Sequence, residues 1–290
     1  METNTIIEGR KRSYRSAVLP KRTTRNYILR QDDSFISSIY GKPTWNNAIT
    51  SRPHNQVPLL KESIQELKTP LHDIYLWDLP IRIFHWSLAL LILGSFITAK
   101  IGGDLMDIHA KCGIAIIGLI VFRIAWGFIG STYARFKSFF YSPQQLLSYL
   151  KGQWDGIGHN PLGALSIFLM LGLITLQSVT GLFSNDDITF NGPFFSYIEK
   201  DTSDGITSFH HTLSNILLGF IVLHIVVIFF YTWYKKDNLI SPMITGYKEI
   251  INGSPSTSAS PISFTIAILL ALIASYIAYG DKIVGFFTIL

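Results

Sequence analysis

The chain alternates between long apolar runs and shorter polar segments. Five runs carry almost no charge over roughly 19–24 residues, the length that an α-helix needs to cross a bilayer. Turn-forming residues bound the runs, as Gly102 and Gly103 do after the first one. We therefore predict an all-α membrane protein with transmembrane helices over about 82–101, 109–130, 161–183, 208–233 and 262–280.

Composition supports the same class. Hydrophobic residues make up 48% of the chain and charged residues 15%, whereas soluble domains usually carry about 25% charged residues. The single cysteine, Cys112, excludes an intrachain disulfide, and it excludes cysteine-ligated zinc and iron–sulfur clusters built by this chain alone. No CxxCH motif occurs, so covalent haem attachment is also excluded.

The distribution of charge predicts an orientation in the membrane. Lysine and arginine are enriched in the N-terminal tail, in the 131–159 connection and after the fourth run, whereas the 102–108 and 184–207 segments are mainly acidic. Because basic loops remain in the cytoplasm, the tail should be cytoplasmic and the fifth helix should end on the exoplasmic side. The net charge of +5 lies in the tail and at the ends of the runs, so it does not indicate a nucleic-acid partner.

Four of the eight histidines, His85, His109, His210 and His224, lie inside or at the mouth of a predicted span. Ionisable groups are costly there and usually mark a function or a specific partner. One such histidine would more often be a hydrogen-bonded core residue, but four suggest a shared role. His210 and His224 are 14 residues apart. Their directions around the helix axis therefore differ by only about 40°, and they are roughly 21 Å apart along that axis. One helix can therefore offer a ligand to each of two sites.

The predicted topology gives each of these two histidines a partner at its own depth. His85 lies in about the first turn of the first span on the cytoplasmic side, near His224, and His109 begins the second span on the exoplasmic side, near His210. Paired neutral imidazoles are suitable axial ligands for haem iron, and double ligation leaves no open position for oxygen chemistry. We therefore predict two bis-histidine haems that carry electrons. A metal-ion transporter fits less well, because the central parts of these spans have no carboxylates.

Other residues are candidates for contact with the cofactor. Gly113, one turn beyond His109, would leave room for a flat macrocycle, although glycine also serves ordinary helix packing in membranes. Haem propionates need cations or hydrogen-bond donors, and Arg82, one turn before His85, is the best candidate. Arg123 is a second candidate, although topology alone predicts a basic helix end, and Asn215 completes the predicted contacts.

The spans and their flanks contain seven recognisable motifs, namely WDLPIRIFHW (77–86), HAKCGIAIIGLIVFRIAWGFIG (109–130), ARF (134–136), GHNPLGAL (158–165), TGLFSNDD (180–187), HHTLSNILLGFIVLHI (210–225) and NLISPMITGYK (238–248). Together they resemble the bacterial di-haem cytochrome b family, which includes the cytochrome b subunits of nickel–iron hydrogenases and related quinone-linked cytochromes. The resemblance covers about residues 74–250 in unbroken order. It implies a four-helix haem-binding transmembrane bundle that holds two non-covalent haems b at His85, His109, His210 and His224. In the doublet, the family ligand matches His210 rather than His211.

The resemblance also implies a quinone as electron partner. His159 and Asn160 match a recurring family position, which suggests a quinone site at the cytoplasmic mouth of the third span. The alternative is an ordinary helix start before Pro161. The expected function is transmembrane electron transfer between the quinone pool and an exoplasmic cytochrome c, hydrogenase or reductase subunit. A stand-alone oxidoreductase acting on a small exoplasmic substrate such as superoxide is the alternative, but acidic exoplasmic loops favour a basic protein partner over an anion.

These interpretations divide the chain into three parts: a polar basic tail (1–73), a di-haem core (74–250), and a linker with a fifth transmembrane helix (251–290). The tail is consistent with a disordered cytoplasmic extension, which we favour, or with an organellar presequence. We expect a multi-pass protein in the lipid of the bacterial inner membrane, with a cytoplasmic N-terminus and a periplasmic C-terminus. An organellar inner membrane is the alternative.

Overall fold

The computed structural model describes residues 72–152, 160–250 and 257–280, so all but the last two residues of the predicted N-terminal tail lie outside the described residues. Five helices within these ranges are long and apolar enough to cross a membrane, which confirms the predicted all-α membrane fold. In chain order the elements are β1 (His72–Tyr75), α1 (Leu79–Ile101), α2 (Met106–Ile129), α3 (Pro143–Leu150), α4 (Pro161–Leu182), α5 (Lys200–Phe229), α6 (Ile240–Thr245), β2 (Tyr247–Ile250) and α7 (Pro261–Tyr279). The spanning helices are α1, α2, α4, α5 and α7.

Polar caps fix where three of the spanning helices begin. The side chains of Asp78, Asn160 and Ser260 each accept a hydrogen bond from the backbone N–H three residues further on. A proline follows each cap within two residues. Each cap satisfies an N–H group that has no partner inside its helix. Where α1 ends, Gly102 and Gly103 adopt φ angles of 71° and 58°, which glycine tolerates, and the predicted turn forms there.

The central helix is α2, which packs along α1, α4 and α7. At the contact with α7, Gly118 faces Ser275 and the backbone of Ala271. The hydroxyl of Ser275 donates to the carbonyl oxygen of Ile114 at 3.4 Å. The fifth spanning helix is therefore packed directly against the helix that carries His109.

The helix α5 stands apart from α1 and α2. Along the described residues it makes no extended close backbone contact with either helix, and it packs mainly on α4. Because α4 also packs on α2, α5 is held beside the α1–α2 pair without touching it closely. The backbone of the helix that carries two of the predicted ligands is therefore spaced widely from the backbones of the helices that carry the other two. We call this spacing, which side chains bridge, the gap.

A buried polar network joins α1 to α2 at one end of the bundle, which we call the Asp78 end. Asp78 is 9% exposed. Its Oδ1 accepts from the backbone N–H of Ile81, and its Oδ2 accepts from the indole N–H of Trp126, each at 2.9 Å. One carboxylate thus caps α1 and ties it to the last turns of α2.

The loop between α4 and α5 is anchored at the opposite end, which we call the Asn185 end. The Asn185 amide donates to the Ser203 hydroxyl at 2.7 Å and to Asp204 at 2.8 Å. Ser203 is fully buried and donates to the carbonyl oxygen of Phe183. These bonds hold the first turns of α5 against the end of α4.

The structure extends the fourth span beyond its predicted start. Hydropathy placed this start at about residue 208, but α5 begins at Lys200. Its first turns are polar and lie outside any apolar run, so a hydropathy window does not detect them. Asp201 in the first turn favours helix formation there, because a negative charge interacts well with the helix N-terminus.

A short antiparallel sheet was also not predicted. β1 and β2 pair with Tyr75 opposite Tyr247. Gly246, just before β2, has a φ of 90°, and a Cβ there would lie 2.9 Å from the Trp77 carbonyl oxygen. Its own carbonyl accepts from the N–H groups of Leu76 and Trp77. The segment before α1 and the segment after α6 are thereby held together.

Candidate functional site

Two of the predicted ligands meet at the Asn185 end. His109 lies in the first turn of α2 and His210 lies on α5. The centroids of their rings are 6.2 Å apart, and the ring planes are inclined by 84°. Both residues are half-buried. The structure therefore brings these two imidazoles close together across the gap between α2 and α5, with their ring planes nearly perpendicular.

A backbone hydrogen bond orients the His109 ring. Its Nδ1 lies 2.9 Å from the carbonyl oxygen of Ser95 on α1. A carbonyl oxygen only accepts, so the His109 Nδ1 carries a proton and donates it. Since a neutral imidazole has one such proton, the lone pair of His109 lies on Nε2. That nitrogen is free to act as a metal ligand.

The His210 ring is held by two side chains of α4. The Gln177 amide nitrogen donates to His210 Nε2 at 3.0 Å. The ring proton therefore lies on Nδ1, which donates to the Thr180 hydroxyl oxygen, also at 3.0 Å. The Thr180 hydroxyl is turned toward the carbonyl oxygens of Leu176 and Gln177, each 2.9 Å away. Metal ligation through His210 Nε2 would require the long Gln177 side chain to turn aside.

A small residue allows this close approach of His210 to α4. A Cβ added at Gly181 would lie 3.0 Å from the Cε1 atom of the His210 ring. Any larger residue at this position would press on the imidazole. Sequence analysis assigned no role to Ser95, Gln177, Thr180 or Gly181. Thr180 and Gly181 are the first two residues of the TGLFSNDD motif, and this motif was the one signal in the sequence that could have indicated these two residues.

The other two predicted ligands, His85 and His224, lie toward the Asp78 end. His224 is close enough to His85 for the two rings to interact electrostatically. The His85 ring meets the Trp86 ring edge-on at 5.1 Å. The Nδ1 atom of His85 is buried without a hydrogen-bond partner. Among the described residues, neither of these two imidazoles makes a hydrogen bond.

Arg82 lies one turn before His85 and covers the same end. Its Nη1 donates to the carbonyl oxygen of Ile244 at 2.5 Å, and its Nη2 reaches the Tyr75 hydroxyl at 3.5 Å. Its Nε is buried and has no hydrogen-bond partner among the described residues. The guanidinium is thus partly used in holding α6 over α1, and its Nε–H remains for another acceptor.

Arg123 occupies a different environment from Arg82. It is 5% exposed, and its guanidinium carbon lies 4.8 Å from the centroid of Phe136 and 5.9 Å from that of Phe139. Asp78 is the electrostatic partner of Arg123. The Nη1 atom of Arg123 is buried and makes no hydrogen bond to any residue in the described part of the chain. This arginine is therefore enclosed by aromatic rings of the loop after α2.

The remaining predicted contacts are placed as follows. A Cβ added at Gly113 would meet nothing within 4 Å, so there is open space beside α2 one turn from His109. Asn215 is exposed on α5. Asn160 caps α4 by accepting from the Gly163 N–H at 2.6 Å, which is the ordinary structural role. His159 lies outside the described residues.

Comparison with known proteins identifies the family of the chain. The sequence profile of the prokaryotic cytochrome b561 family matches residues 76–246, more than half of the chain. The chain belongs to this family. It is a multi-pass bacterial membrane cytochrome that transfers electrons by means of haem b.

Several relatives of this cytochrome carry a more specific name. A probable Ni/Fe-hydrogenase B-type cytochrome subunit of Rhizobium leguminosarum bv. viciae is 26% identical over 215 residues, covering 60% of this chain and 88% of that protein. The probable Ni/Fe-hydrogenase 1 B-type subunit of Escherichia coli K12 is 24% identical over 214 residues, covering 60% and 90%. The probable Ni/Fe-hydrogenase B-type cytochrome subunit of Azotobacter vinelandii is 26% identical over 223 residues, covering 63% of this chain and 91% of that protein. No solved structure matches the chain.

The residues of this cytochrome at the Asn185 end fit a haem once the Gln177 side chain has turned away from the Nε2 atom of His210. Bonds between imidazole nitrogen and a metal are about 2 Å long, so two rings on opposite sides of one iron have centroids about 6 Å apart. The centroids of His109 and His210 are 6.2 Å apart. Histidines that bind metals usually donate their other N–H to a carbonyl or a similar acceptor, as both of these do. The open space beside Gly113 lies on the same side of α2.

Proposed function

We propose that this cytochrome holds two haems b, one between His109 and His210 and one between His85 and His224. Through them it passes electrons between the quinone pool and a redox partner in the periplasm. The observation that carries the proposal is the meeting of the His109 and His210 imidazoles between α2 and α5, with His224 near enough to His85 to act on it electrostatically.

Haem bound by two histidines supplies a one-electron couple with no open coordination position. The chain itself supplies position. Ser95 and Thr180 hold the imidazoles of His109 and His210 with the Nδ1 proton directed away from the gap. Since α5 carries His210 and His224 14 residues apart, it sets the two sites roughly 21 Å apart along its axis. That spacing divides the crossing of the membrane into short steps.

We assign the Asp78 end to the cytoplasm and the Asn185 end to the periplasm. The described segments at the Asp78 end include the basic residues Arg135, Lys137, Lys235 and Lys236. The loop at the Asn185 end carries mostly acids, and its Lys200 is paired with Asp187 at 2.6 Å and with Asp204 at 2.8 Å. Basic loops stay in the cytoplasm, so the N-terminus is cytoplasmic and the C-terminus periplasmic.

The proposed partner at the Asn185 end is a protein subunit with a basic docking surface. The acidic side chains of this end complement such a surface. Several relatives are named as hydrogenase B-type cytochrome subunits, and this chain covers most of their length. A periplasmic hydrogenase subunit is therefore the first partner to test, with a cytochrome c or a reductase subunit next.

The proposed quinone site lies at the Asp78 end, where Asn160 caps the start of α4, and His159, which precedes Asn160 in the sequence, is the second proposed residue. Arg82 and Arg123 are the proposed propionate contacts at that end, because each has a buried N–H that finds no partner within the described ranges. Gly113 provides space beside His109, and Asn215 is the proposed contact on α5. The domain division is likewise proposed: a tail over 1–73, a di-haem core over 74–250, and an added segment with α7 over 251–290.

A reduction experiment tests this function. The purified protein is oxidised, made anaerobic and mixed with a short-chain quinol, while the α-band of haem b is followed. We expect rapid reduction of the haem, and slower reduction in a His159→Ala variant. Hydrogen added with a co-purified hydrogenase subunit should reduce the haem without quinol. Haem that neither quinol nor quinone can reduce or reoxidise would contradict the proposal.

A further inference from the structure

The two histidine pairs differ in what their rings contact on the side away from the gap. At the Asn185 end, His109 Nδ1–H donates to the Ser95 carbonyl and His210 Nδ1–H donates to the Thr180 hydroxyl. At the Asp78 end, the Nδ1 of His85 is buried without an acceptor, and the His224 ring has no hydrogen bond to any described residue. One pair is supported by acceptors and the other is not.

This difference has a known physical consequence for a metal ligand. An acceptor on the far N–H of an imidazole draws its proton away and makes the ligating nitrogen more basic. A more basic ligand donates more electron density and stabilises the higher oxidation state of iron. The midpoint potential of the site is thereby lowered. The Ser95 carbonyl and the Thr180 oxygen both act in this direction.

We infer that Ser95 and Thr180 make the His109–His210 site the low-potential site and leave the His85–His224 site the high-potential one. This inference rests on the proposed function, because it assumes a haem at each pair.

The order of potentials implies a preferred direction. Transfer of one electron from the Asn185 end to the Asp78 end would oxidise the first site and reduce the second. This transfer lowers the free energy, because it runs from the lower to the higher midpoint potential. Neither histidine pair has to take up or release a proton. The chain is then suited to accept electrons from a periplasmic donor and deliver them to a quinone on the cytoplasmic side. Ser95 and Thr180 are positioning residues in this scheme, since they act only through His109 and His210.

Thr180 is the residue through which this can be tested, because its acceptor belongs to a side chain. Thr180→Val has nearly the same shape and lacks the oxygen, whereas Thr180→Ser keeps it. Both haems of the full-length protein are titrated optically in detergent, and His109→Ala identifies which transition belongs to the Asn185 end. We expect Thr180→Val to raise the lower potential so that the reduced-to-oxidised ratio at fixed potential increases about tenfold, or about 59 mV. Thr180→Ser should restore the original value.

The outcomes separate this inference from the function on which it rests. Two haems with a lower potential that is the same in Thr180→Val, Thr180→Ser and the unaltered chain would overturn the inference alone. A low potential assigned to the Asp78 end would do the same. A protein that binds no haem, or one haem, would overturn the proposed function. If Thr180→Val does not fold, Thr180→Ala and Thr180→Cys provide the comparison, and the lower potential must rise in both.

Discussion

At the residue scale, the site depends on how each imidazole is oriented. The four histidines stand out in the sequence because ionisable groups within apolar runs are rare. Ser95, Gln177 and Thr180 could not be identified in this way, because serine, threonine and glutamine are common in membrane helices. Their importance arises only when helix packing places them beside a histidine, and the sequence does not state which helices face each other.

The ligand assignment predicts the effect of removing one imidazole. His109→Ala should abolish the haem at the Asn185 end and leave the other, so that the haem b absorbance per chain falls by half. His211→Ala is the matched control, because His211 is exposed on another face of α5, and it should retain both haems. Loss of a haem in His211→Ala would transfer the ligand role to that residue.

Replacement of Asp78 should strongly reduce stability, because its buried carboxylate makes two hydrogen bonds. Asp78→Ala removes the cap of α1 and leaves the Trp126 indole N–H without an acceptor. Together these losses should lower the free energy of unfolding by about 2–4 kcal/mol. Thermal unfolding in detergent measures this. Trp126→Phe removes the donor and keeps the cap, so it should cost less than Asp78→Ala, and an equal or larger loss would contradict the argument.

At the element scale, hydropathy located all five spanning helices, because length and apolar composition suffice for that purpose. It missed the first turns of α5 and the helices α3 and α6, since polar turns and short helices carry no such signal. The pairing of β1 with β2 was equally hidden, because it joins four-residue segments that are far apart in the chain. The parts that the sequence did not reveal are those whose stability comes from tertiary contacts.

The close packing of α7 on α2 at Gly118 predicts that a larger residue at this position destabilises the protein. Gly118→Val should push the new side chain into Ser275 and the Ala271 backbone, and overpacking of this kind costs about 1–3 kcal/mol. Thermal unfolding again measures the loss. Gly205→Ala in α5 is the matched control, since an added Cβ meets nothing within 4 Å there, and it should not destabilise. An unchanged stability in Gly118→Val would show that α7 does not pack tightly on α2.

The loop between α4 and α5 should lose order in acid. Desolvation opposes the ionisation of Asp186, but the backbone N–H groups of Ile188, Phe190 and Thr189 donate to it and hold its pKa below the ordinary value. A depressed carboxylate pKa stabilises the loop above the unfolded value of about 3.9, and this contribution is lost as the pH falls through the folded pKa. Hydrogen exchange of these three amides, corrected for intrinsic rates, should speed up in this range. The same pH dependence in Asp186→Asn would contradict this.

At the scale of the whole molecule, the gap beside α5 is the feature on which the account depends. The order of the spans and the 14-residue spacing on α5 suggested two sites at two depths. The structure adds that α5 packs on α4 while standing away from α1 and α2. Such an arrangement places His109 and His210 on either side of this gap, and a wide spacing between helix backbones is what a cofactor held between helices requires.

The content of haem in the purified full-length protein tests this account most directly. A pyridine haemochrome assay, set against protein concentration from amino-acid analysis, gives the number of haems b per chain. The account predicts two haems per chain, one in His109→Ala, one in His85→Ala and none when both are replaced. A chain that holds a single haem, or that keeps two after either replacement, would contradict it.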